Sequence, residues 1–524
     1  MKILPVDKIR EADAWTIEHE PIADINLMER ASSACFNWLF QHIPTTKTIT
    51  VIAGTGNNGG DGLAIARMLA EKDYQVDVLL AGNPDELSPS CKINYDRFIK
   101  STNGESRITI LGTSKNSGKK QTPLPSWGEP VTRTQGPGEG VVLIDALFGS
   151  GLTRPVTGFY ADLINHINQS QNTVIAIDVP SGLFIDKTVK GLTGPAIVKA
   201  DYTLTFSPPK QALFYPENDP YIGIWILLNI GLSEEFIEMT EVKNFMVTKA
   251  TVKPFMRKRN KFAHKGVFGH ALLICGGIGK MGAAVLAAGA CLRSGPGLVT
   301  ARVPGSGVEI LQTAVPEAML DIDTDEEVFS ELPLLESYSA VGVGPGIGLE
   351  KHTQSALKLL IQEGIPMVID ADAINILGEN KTWLSFLPPG CILTPHPKEF
   401  ERIAGKSSDD YDRNRLQREL SFKYSCYIVL KGAYTAITAP DGKCFFNTSG
   451  NPGMATGGSG DVLTGIITGL MAQNYNPLEA CLLGVYLHGL AGDLAAEKLG
   501  YEAMIAGDLV DNLGNAFLSI YGEP

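Results

Sequence analysis

The feature that most constrains this chain is an alternation. Short runs rich in Val, Ile and Leu recur between longer stretches whose apolar residues fall at helical spacing. In the first half the runs are "TITVIAG", "QVDVLLAG", "VVLIDALFG", "TVIAIDVPSG" and "ADYTLTF". In the second half they are "HALLICGG", "GLVTARV", "YSAVGVGPG", "PMVIDAD", "CILTPHP" and "YIVLKG", with two further short strands around Thr435 and Phe445. Strands that are apolar on both faces belong to parallel sheets covered by helices on each side. The fold class is therefore α/β, in two domains. Two helices, "VDKIREADAWTIEH" and "DINLMERASSACFNWLF", are predicted ahead of the first strand, separated at Pro21.

A chain of 524 residues exceeds what one core ordinarily serves. The basic, proline-containing segment "VTKATVKPFMRKRNKFAHKG" interrupts the apolar periodicity. We place the domains at 1–240 and 263–524, with 241–262 as a linker. The polar stretch between Gly112 and Gly140, rich in Gly, Pro and Ser, is expected to be a surface excursion of the first domain. A net charge of −13 argues against general binding to nucleic acid or anionic membranes. Eight cysteines scattered singly predict reduced thiols, no structural zinc and a cytoplasmic location. No run approaches a membrane span, and the N-terminus lacks the apolar centre of a signal peptide.

The loop "AGTGNNGGDG" contains G-x-G-x-x-G as Gly54, Gly56 and Gly59. A dinucleotide fingerprint also needs an acid at the end of the next strand, and "QVDVLLAG" ends in Ala81, Gly82 and Asn83. Tight strand-to-helix packing accounts for the glycines but not for Asn57, Asn58 and Asp61. Asp145 and Asp178 follow two later apolar runs, and such strand ends share one sheet edge, where ligands bind. Either aspartate alone could cap a turn; together they point to a site. Asp178 is a candidate acid or base. Asp145, the Asn58 amide and Ser181 offer hard oxygen ligands for an alkali or alkaline-earth cation.

In the second half "GNPGMATGGSGD" opens a helix near Asp461. Successive glycines bring backbone N–H groups against an anion, and a helix N-terminus adds partial positive charge, so a phosphate fits there. Asp461 is then either an N-cap or a base that deprotonates a hydroxyl attacking that phosphate. His396 in "LTPHPKEFERIAG" reads as structural when taken alone, and Lys431 in "VLKGAYT" as a phosphate contact or a solvated lysine. The glycines from Gly344 to Gly348 leave room for a flat ligand, while the small residues of "MGAAVLAAGACLRSGPGLVT" are explained by close helix packing.

In this order, "LMERAS", "AGTGNNGGDG", "DALFGSGLTRP" and "IAIDVPSGL" resemble the NAD(P)H-hydrate epimerases. "HKGVFGHALLICGG", "VGPGIG", "TPHPKEFERI", "VLKGAYT" and "NPGMATGGSGDVLTGII" resemble the ADP-dependent NAD(P)H-hydrate dehydratases of the ribokinase-like superfamily. The pair covers nearly the whole chain, as in the bifunctional repair enzymes. The resemblance implies a Rossmann-like three-layer α/β/α domain followed by a ribokinase-like α/β/α domain. It implies repair of hydrated NADH and NADPH: epimerisation of the R and S hydrates, then ADP-dependent dehydration of the S form through transient phosphorylation of its hydroxyl, giving AMP and phosphate.

By the same resemblance, Asn57, Asn58, Gly59, Gly60, Asp61, Gly149, Ser150, Gly151, Leu152, Thr153, Arg154, Pro155 and Asp178 contact the hydrate in the epimerase domain. Asn58, Asp145 and Ser181 hold K+ there. In the dehydratase domain Ala283, Gly346, His396 and Asp461 face the hydrate, with Asp461 as base and Asp178 its counterpart in the first domain. Lys431, Gly432, Ala433, Tyr434 and Thr435, with Asn451, Gly453, Met454, Ala455, Thr456, Gly457, Gly458, Ser459 and Gly460, bind ADP, with Mg2+ as its cation. A homo-oligomer is expected. The departures are Ile278 and Gly279 in place of a serine, and Ser32 in place of a glycine. The competing reading is a ribokinase-like small-molecule kinase with a non-catalytic N-terminal binding or scaffolding module.

Overall fold

The structure is a computed structural model that describes residues 1–101, 108–111, 140–192 and 194–522. The excursion expected between Gly112 and Gly140 lies outside these residues except for Gly140. The chain forms two compact units, Lys2–Val242 and Lys243–Pro524 with Met1.

The first unit opens with helices α1 (Val6–His19) and α2 (Asp24–His42). There follow β1 (Thr48–Ala53), α3 (Asn57–Ala70), β2 (Gln75–Ala81), α4 (Pro89–Ser101) and β3 (Ile108–Leu111). After them come β4 (Val141–Ala146), α5 (Phe159–Gln169), β5 (Thr173–Ile177), β6 (Tyr202–Phe206) and β7 (Ile224–Leu228). The 7-stranded sheet has the order β3-β2-β1-β4-β5-β6-β7, with every pairing parallel. Neighbouring residues of one strand serve opposite faces. Val51 and Ala53 pack with α2 and α3, and Ile52 packs with α5. The chain reverses its direction of travel across the sheet between β1 and β4, which places the loops after them at a topological switch point.

Of the glycines after β1, Gly54, Gly59, Gly60 and Gly62 are packing glycines. A Cβ on Gly59 would lie 1.9 Å from the Gly54 carbonyl oxygen, and one on Gly62 would lie 2.6 Å from the Ala146 Cβ. Only hydrogen at those positions lets α3 lie this close to the sheet.

The second unit begins with β8 (Asn244–Val247), β9 (His270–Ile274), α6 (Met281–Ser294), β10 (Leu298–Val303), β11 (Met319–Ile322) and β12 (Ala340–Val343). It continues with α7 (Lys351–Gln362), β13 (Met367–Ile369), α8 (Ala371–Glu379), β14 (Ile392–Leu393), α9 (Pro397–Ala404) and α10 (Asp410–Lys423). Then come β15 (Tyr427–Leu430), β16 (Ala436–Thr438), β17 (Cys444–Asn447), α11 (Ser459–Ala472), α12 (Pro477–Leu499) and α13 (Ala506–Tyr521). The strands run β8-β17-β16-β15-β14-β13-β12-β9-β10-β11. Leu272 and Ile274 face one helical layer, and Ala271 and Leu273 face the other.

Helices α6 and α11 pack through small residues. A Cβ on Gly465 would fall 2.2 Å from the Ala287 carbonyl oxygen, and one on Gly469 would fall 2.0 Å from Ser294 Oγ.

Two expectations are corrected. The segment 241–262 is not a free linker: Asn244–Val247 pairs in parallel with Cys444–Asn447, and Val247 and Val252 are fully buried. Two of its basic residues, Arg257 and Arg259, are held by the domain. Arg257 donates to the carbonyls of Gln473 and Asn474 just past the end of α11, where helix carbonyls lack partners and favour cations. Second, among the described residues one helix is long and apolar enough to cross a membrane, the 23-residue α12; 67% of its apolar window is buried, as in a core helix.

Candidate active sites

At the carboxyl edge of the first sheet a cavity of about 570 Å3 gathers α1, α2 and the loops after β1, β4, β5 and β6. Asn57, Asn58, Asp61, Gly149, Ser150, Gly151, Leu152 and Asp178 all line it. Gly59 and Gly60 do not: they are buried against Gly54 and Met28. Thr153, Arg154 and Pro155 continue the loop as exposed residues outside the lining.

Asp178 directly follows β5 with φ of +67°, a left-handed conformation that aspartate tolerates better than most residues. It is 6% exposed and accepts from the Ser150 backbone N–H at 3.2 Å. Lys210, 2% exposed, places Nζ 2.5 Å from Asp178 Oδ1 and donates to the Phe206 carbonyl. Burial pushes the Asp178 carboxyl up, but the Lys210 charge and the Lys210 and Ser150 hydrogen bonds outweigh it and hold the acid below its ordinary range. Sequence reasoning missed Lys210. The available signal was a lysine four residues after β6, at the same sheet edge as the two aspartates.

Around this pair the cavity is acidic. Burial pushes Asp13 on α1 up to about 6, reinforced by the charge of Asp178 and opposed by Lys210. Asp61 is held well above its ordinary range by burial, against a hydrogen bond donated by Ser32 Oγ at 3.1 Å. The serine that departs from the family pattern thus touches a cavity carboxyl.

Asp145 is fully buried. It accepts from the Ser181 N–H at 2.8 Å, from Ser181 Oγ at 2.6 Å and from the Leu147 N–H at 3.3 Å. All three partners are neutral, and burial still pushes the carboxyl up to about 6. Among the described residues, both polar atoms of the buried Asn58 amide lack a hydrogen-bond partner. Asn58 lines the cavity and Asp145 does not; a buried carboxylate with only neutral partners and a buried amide oxygen without one are each suited to a monovalent cation.

In the second unit, Asp461 lies in the first turn of α11. Gly458, in the left-handed region at φ +91°, precedes that helix, and a Cβ there would meet Leu286 at 2.4 Å. Asn451 Oδ1 accepts from the Gly453 N–H at 3.0 Å, and Asn451 Nδ2 donates to Asp493. Met454 packs on Gly492. Ala455 and Gly457 are exposed, and Thr456 and Gly460 partly so, whereas Ser459 is buried; the Ser459 carbonyl contacts His488. Gly432 and Ala433 are exposed, Tyr434 is half-buried, and the Thr435 hydroxyl donates to the Gly432 carbonyl.

Lys431 Nζ is 2.8 Å from Asp370 Oδ1 and 3.9 Å from Glu399 Oε2. The other Asp370 oxygen accepts from Thr464 Oγ1 at 2.8 Å, one turn after Asp461. Burial, then the Asp370 charge, pushes Asp461 up to about 6 against the pull of Lys431. The sequence does not single out Asp370; "PMVIDAD" reads as a strand, and only the fold brings its aspartate to Lys431. His396 is the N-cap of α9, accepting at Nδ1 from the Lys398 and Glu399 N–H groups while Glu399 caps the His396 N–H. Gly346 packs against Lys280 and Ala283. Among the described residues no group of three or more His, Cys, Asp or Glu side chains is arranged to hold a metal.

The fold and the two sites define a two-domain α/β enzyme, with a carboxylate poised at a sheet edge in one domain and at a glycine-rich helix start in the other. Residues 24–212 match the family described as YjeF-related protein N-terminus, and residues 271–515 match the NAD(P)H-hydrate dehydratase family. The bifunctional NAD(P)H-hydrate repair enzyme Nnr of Coxiella burnetii is 37% identical over 97% of each chain. The enzyme of that name from Moorella thermoacetica is 34% identical over 98% of this chain and 96% of its own. A crystal structure of ADP/ATP-dependent NAD(P)H-hydrate dehydratase from Bacillus subtilis, co-crystallized with ATP/Mg2+, is 30% identical; it covers 52% of this chain and 97% of its own, with a TM-score of 0.47. The chain belongs to the bifunctional NAD(P)H-hydrate repair enzymes, an epimerase domain followed by a dehydratase domain.

Proposed function

We propose that the first cavity interconverts the R and S hydrates of NADH and NADPH, and that the site at Asp461 returns the S hydrate to the working coenzyme at the expense of ADP. The observation that carries this reading is full-length similarity to bifunctional repair enzymes together with a carboxylate at each candidate site. Hydroxide is a poor leaving group. Asp461, pushed up to about 6, takes the proton of the hydrate hydroxyl as that oxygen attacks the terminal phosphorus of ADP; AMP departs, and phosphate then leaves as the ring double bond re-forms. The backbone from Asn451 to Gly460 holds the ADP phosphates, with Lys431 to Thr435 beside them. Mg2+ would be bound with the ADP phosphates and would neutralise their charge.

In the epimerase domain Asp178 moves the proton. Asn58, Asp145 and Ser181 would hold K+, which would supply the counter-charge that Asp145 lacks. Eight free, buried cysteines support a cytoplasmic location.

The test mixes racemic hydrate with ADP and follows recovery of the reduced-nicotinamide absorbance. Full recovery faster than spontaneous epimerisation is expected, with half recovered by an Asp178→Ala variant before its slow phase. A stable phosphorylated alcohol, with no coenzyme regenerated, would establish the kinase reading instead.

A further inference from the structure

Besides Asp178, the epimerase cavity is lined by Asp13, Asp24 and Asp61, and no step above uses Asp13. Asp13 projects from α1, a different wall from the β5 end that carries Asp178, and both line the same cavity. No hydrogen bond engages the Asp13 carboxyl among the described residues, whereas Asp178 is fixed by Lys210 and Ser150. The charged groups facing it are Asp178, Lys210 and Asp24, with Asp61 and Arg10 also on the cavity wall.

We infer that Asp13 is the second proton-transfer group of the epimerase, paired with Asp178 across the cavity. The inference rests on the epimerase reading and deepens it. Water adds to a reduced nicotinamide so that the hydroxyl sits on a carbon bonded to the ring nitrogen. Inverting that carbon requires the C–O bond to break and re-form on the other face. In the forward direction the nitrogen lone pair forms a C=N bond as the hydroxyl leaves, and Asp13 donates the proton that makes it water. A second water then adds from the opposite face as the C=N electrons return to nitrogen, and Asp178 accepts its proton. The reverse direction exchanges the two roles, so each carboxyl works once as acid and once as base. Nothing is oxidised or reduced.

The environments suit the division of labour. Lys210 keeps Asp178 ionised, and burial keeps Asp13 protonated up to about 6; two acids driven apart by their surroundings are how one site supplies both a donor and an acceptor.

The test uses the full-length enzyme and purified R hydrate with saturating ADP, so that each epimerised molecule is read as recovered absorbance. Asp13→Asn is expected to lower kcat for R hydrate by about a hundredfold or more with little change in KM, and Asp13→Glu to recover part of it. Dehydration of S hydrate by the same variants should be unchanged, which shows that the second domain is intact, and a first-domain unfolding transition at the wild-type position shows that the epimerase domain is folded. Wild-type kcat/KM for R hydrate should fall above a limb near pH 6, and this limb should be missing from the residual activity of Asp13→Asn. An Asp13→Asn rate within about threefold of wild type, with the limb retained, overturns the inference. If Asp13→Asn fails to fold, the wild-type profile and Asp13→Glu decide: no alkaline limb and no change in Asp13→Glu overturn it. Wild-type enzyme that does not outrun spontaneous conversion overturns the epimerase reading itself, an outcome distinct from an inert Asp13.

Discussion

Lys210 sets the charge state of the epimerase cavity. It is 2% exposed, and the anion it holds at ion-pair distance is Asp178. Replacing Lys210 by Ala leaves a buried carboxylate uncompensated, a change that ordinarily costs ~3–5 kcal/mol. Denaturant unfolding of Lys210→Ala should show a loss of this order in the first domain's transition, and R-hydrate conversion should drop to the spontaneous rate while S-hydrate dehydration persists. The pH dependence has a definite sign. Asp178 titrates below its ordinary range in the folded state, so its stabilising contribution is complete above that range and is lost as pH falls. Asp461 behaves oppositely: its folded value is raised to about 6, so its contribution is complete below the ordinary carboxylate range and is lost as pH rises through 6. Asp461→Asn should abolish dehydration of S hydrate, with Asp461 as the proposed base, and raise the thermal midpoint at pH 7, the trade expected of a functional carboxyl whose ionised form is disfavoured by burial. Calorimetry beside the absorbance assay checks both. Asp178 and Asp461 were legible because each directly follows a local signal, an apolar strand or a glycine-rich loop. Lys210, Asp13 and Asp370 were not, because each acts on a carboxylate that is distant in sequence and brought near only by the sheet topology.

At the scale of elements, the glycine-rich turn after β1 has the spacing of a dinucleotide fingerprint and is a packing device beside a polar site. Gly59 permits α3 to rest on the Gly54 carbonyl, while a Cβ on Gly56, in the same loop, would meet nothing within 4 Å. Gly59→Ala should thus destabilise the first domain by on the order of 1–3 kcal/mol or more, and Gly56→Ala by much less. Equilibrium unfolding of the two variants, read against wild type, makes the comparison; equal effects would contradict the close approach. The strands and the helices between them were legible from periodicity alone, since buried parallel strands are apolar on both faces. β8 was not: "NFMV" is short, and the basic stretch after it resembles a solvated linker. Part of its charge instead serves helix ends, where Arg257 meets the carbonyls beyond α11.

At the scale of the whole chain, two reactions share one solvent pH but ask opposite things of their carboxyls. With Asp461 as the proposed base, dehydration of S hydrate requires it ionised and should weaken as pH falls below about 6. The epimerase, with Asp13 as donor, needs a proton retained at a group also near 6, so R-hydrate conversion should weaken as pH rises above it. Recovery of racemic hydrate in the presence of ADP should accordingly change its limiting step with pH. Below about 6 the first phase, consumption of S hydrate, is slow and the R form keeps pace with it. Above that value the S form vanishes quickly and the R form follows in a separate slower phase. The absorbance trace reports both phases in one sample, after subtraction of spontaneous epimerisation at each pH. The amplitude of the slow phase should grow across the titration, and Asp13→Asn should show two phases even at the acid end. A single phase for wild type at every pH would mean that Asp13 does not set the epimerase limb, and would return the proton donor's role to another group on the cavity wall.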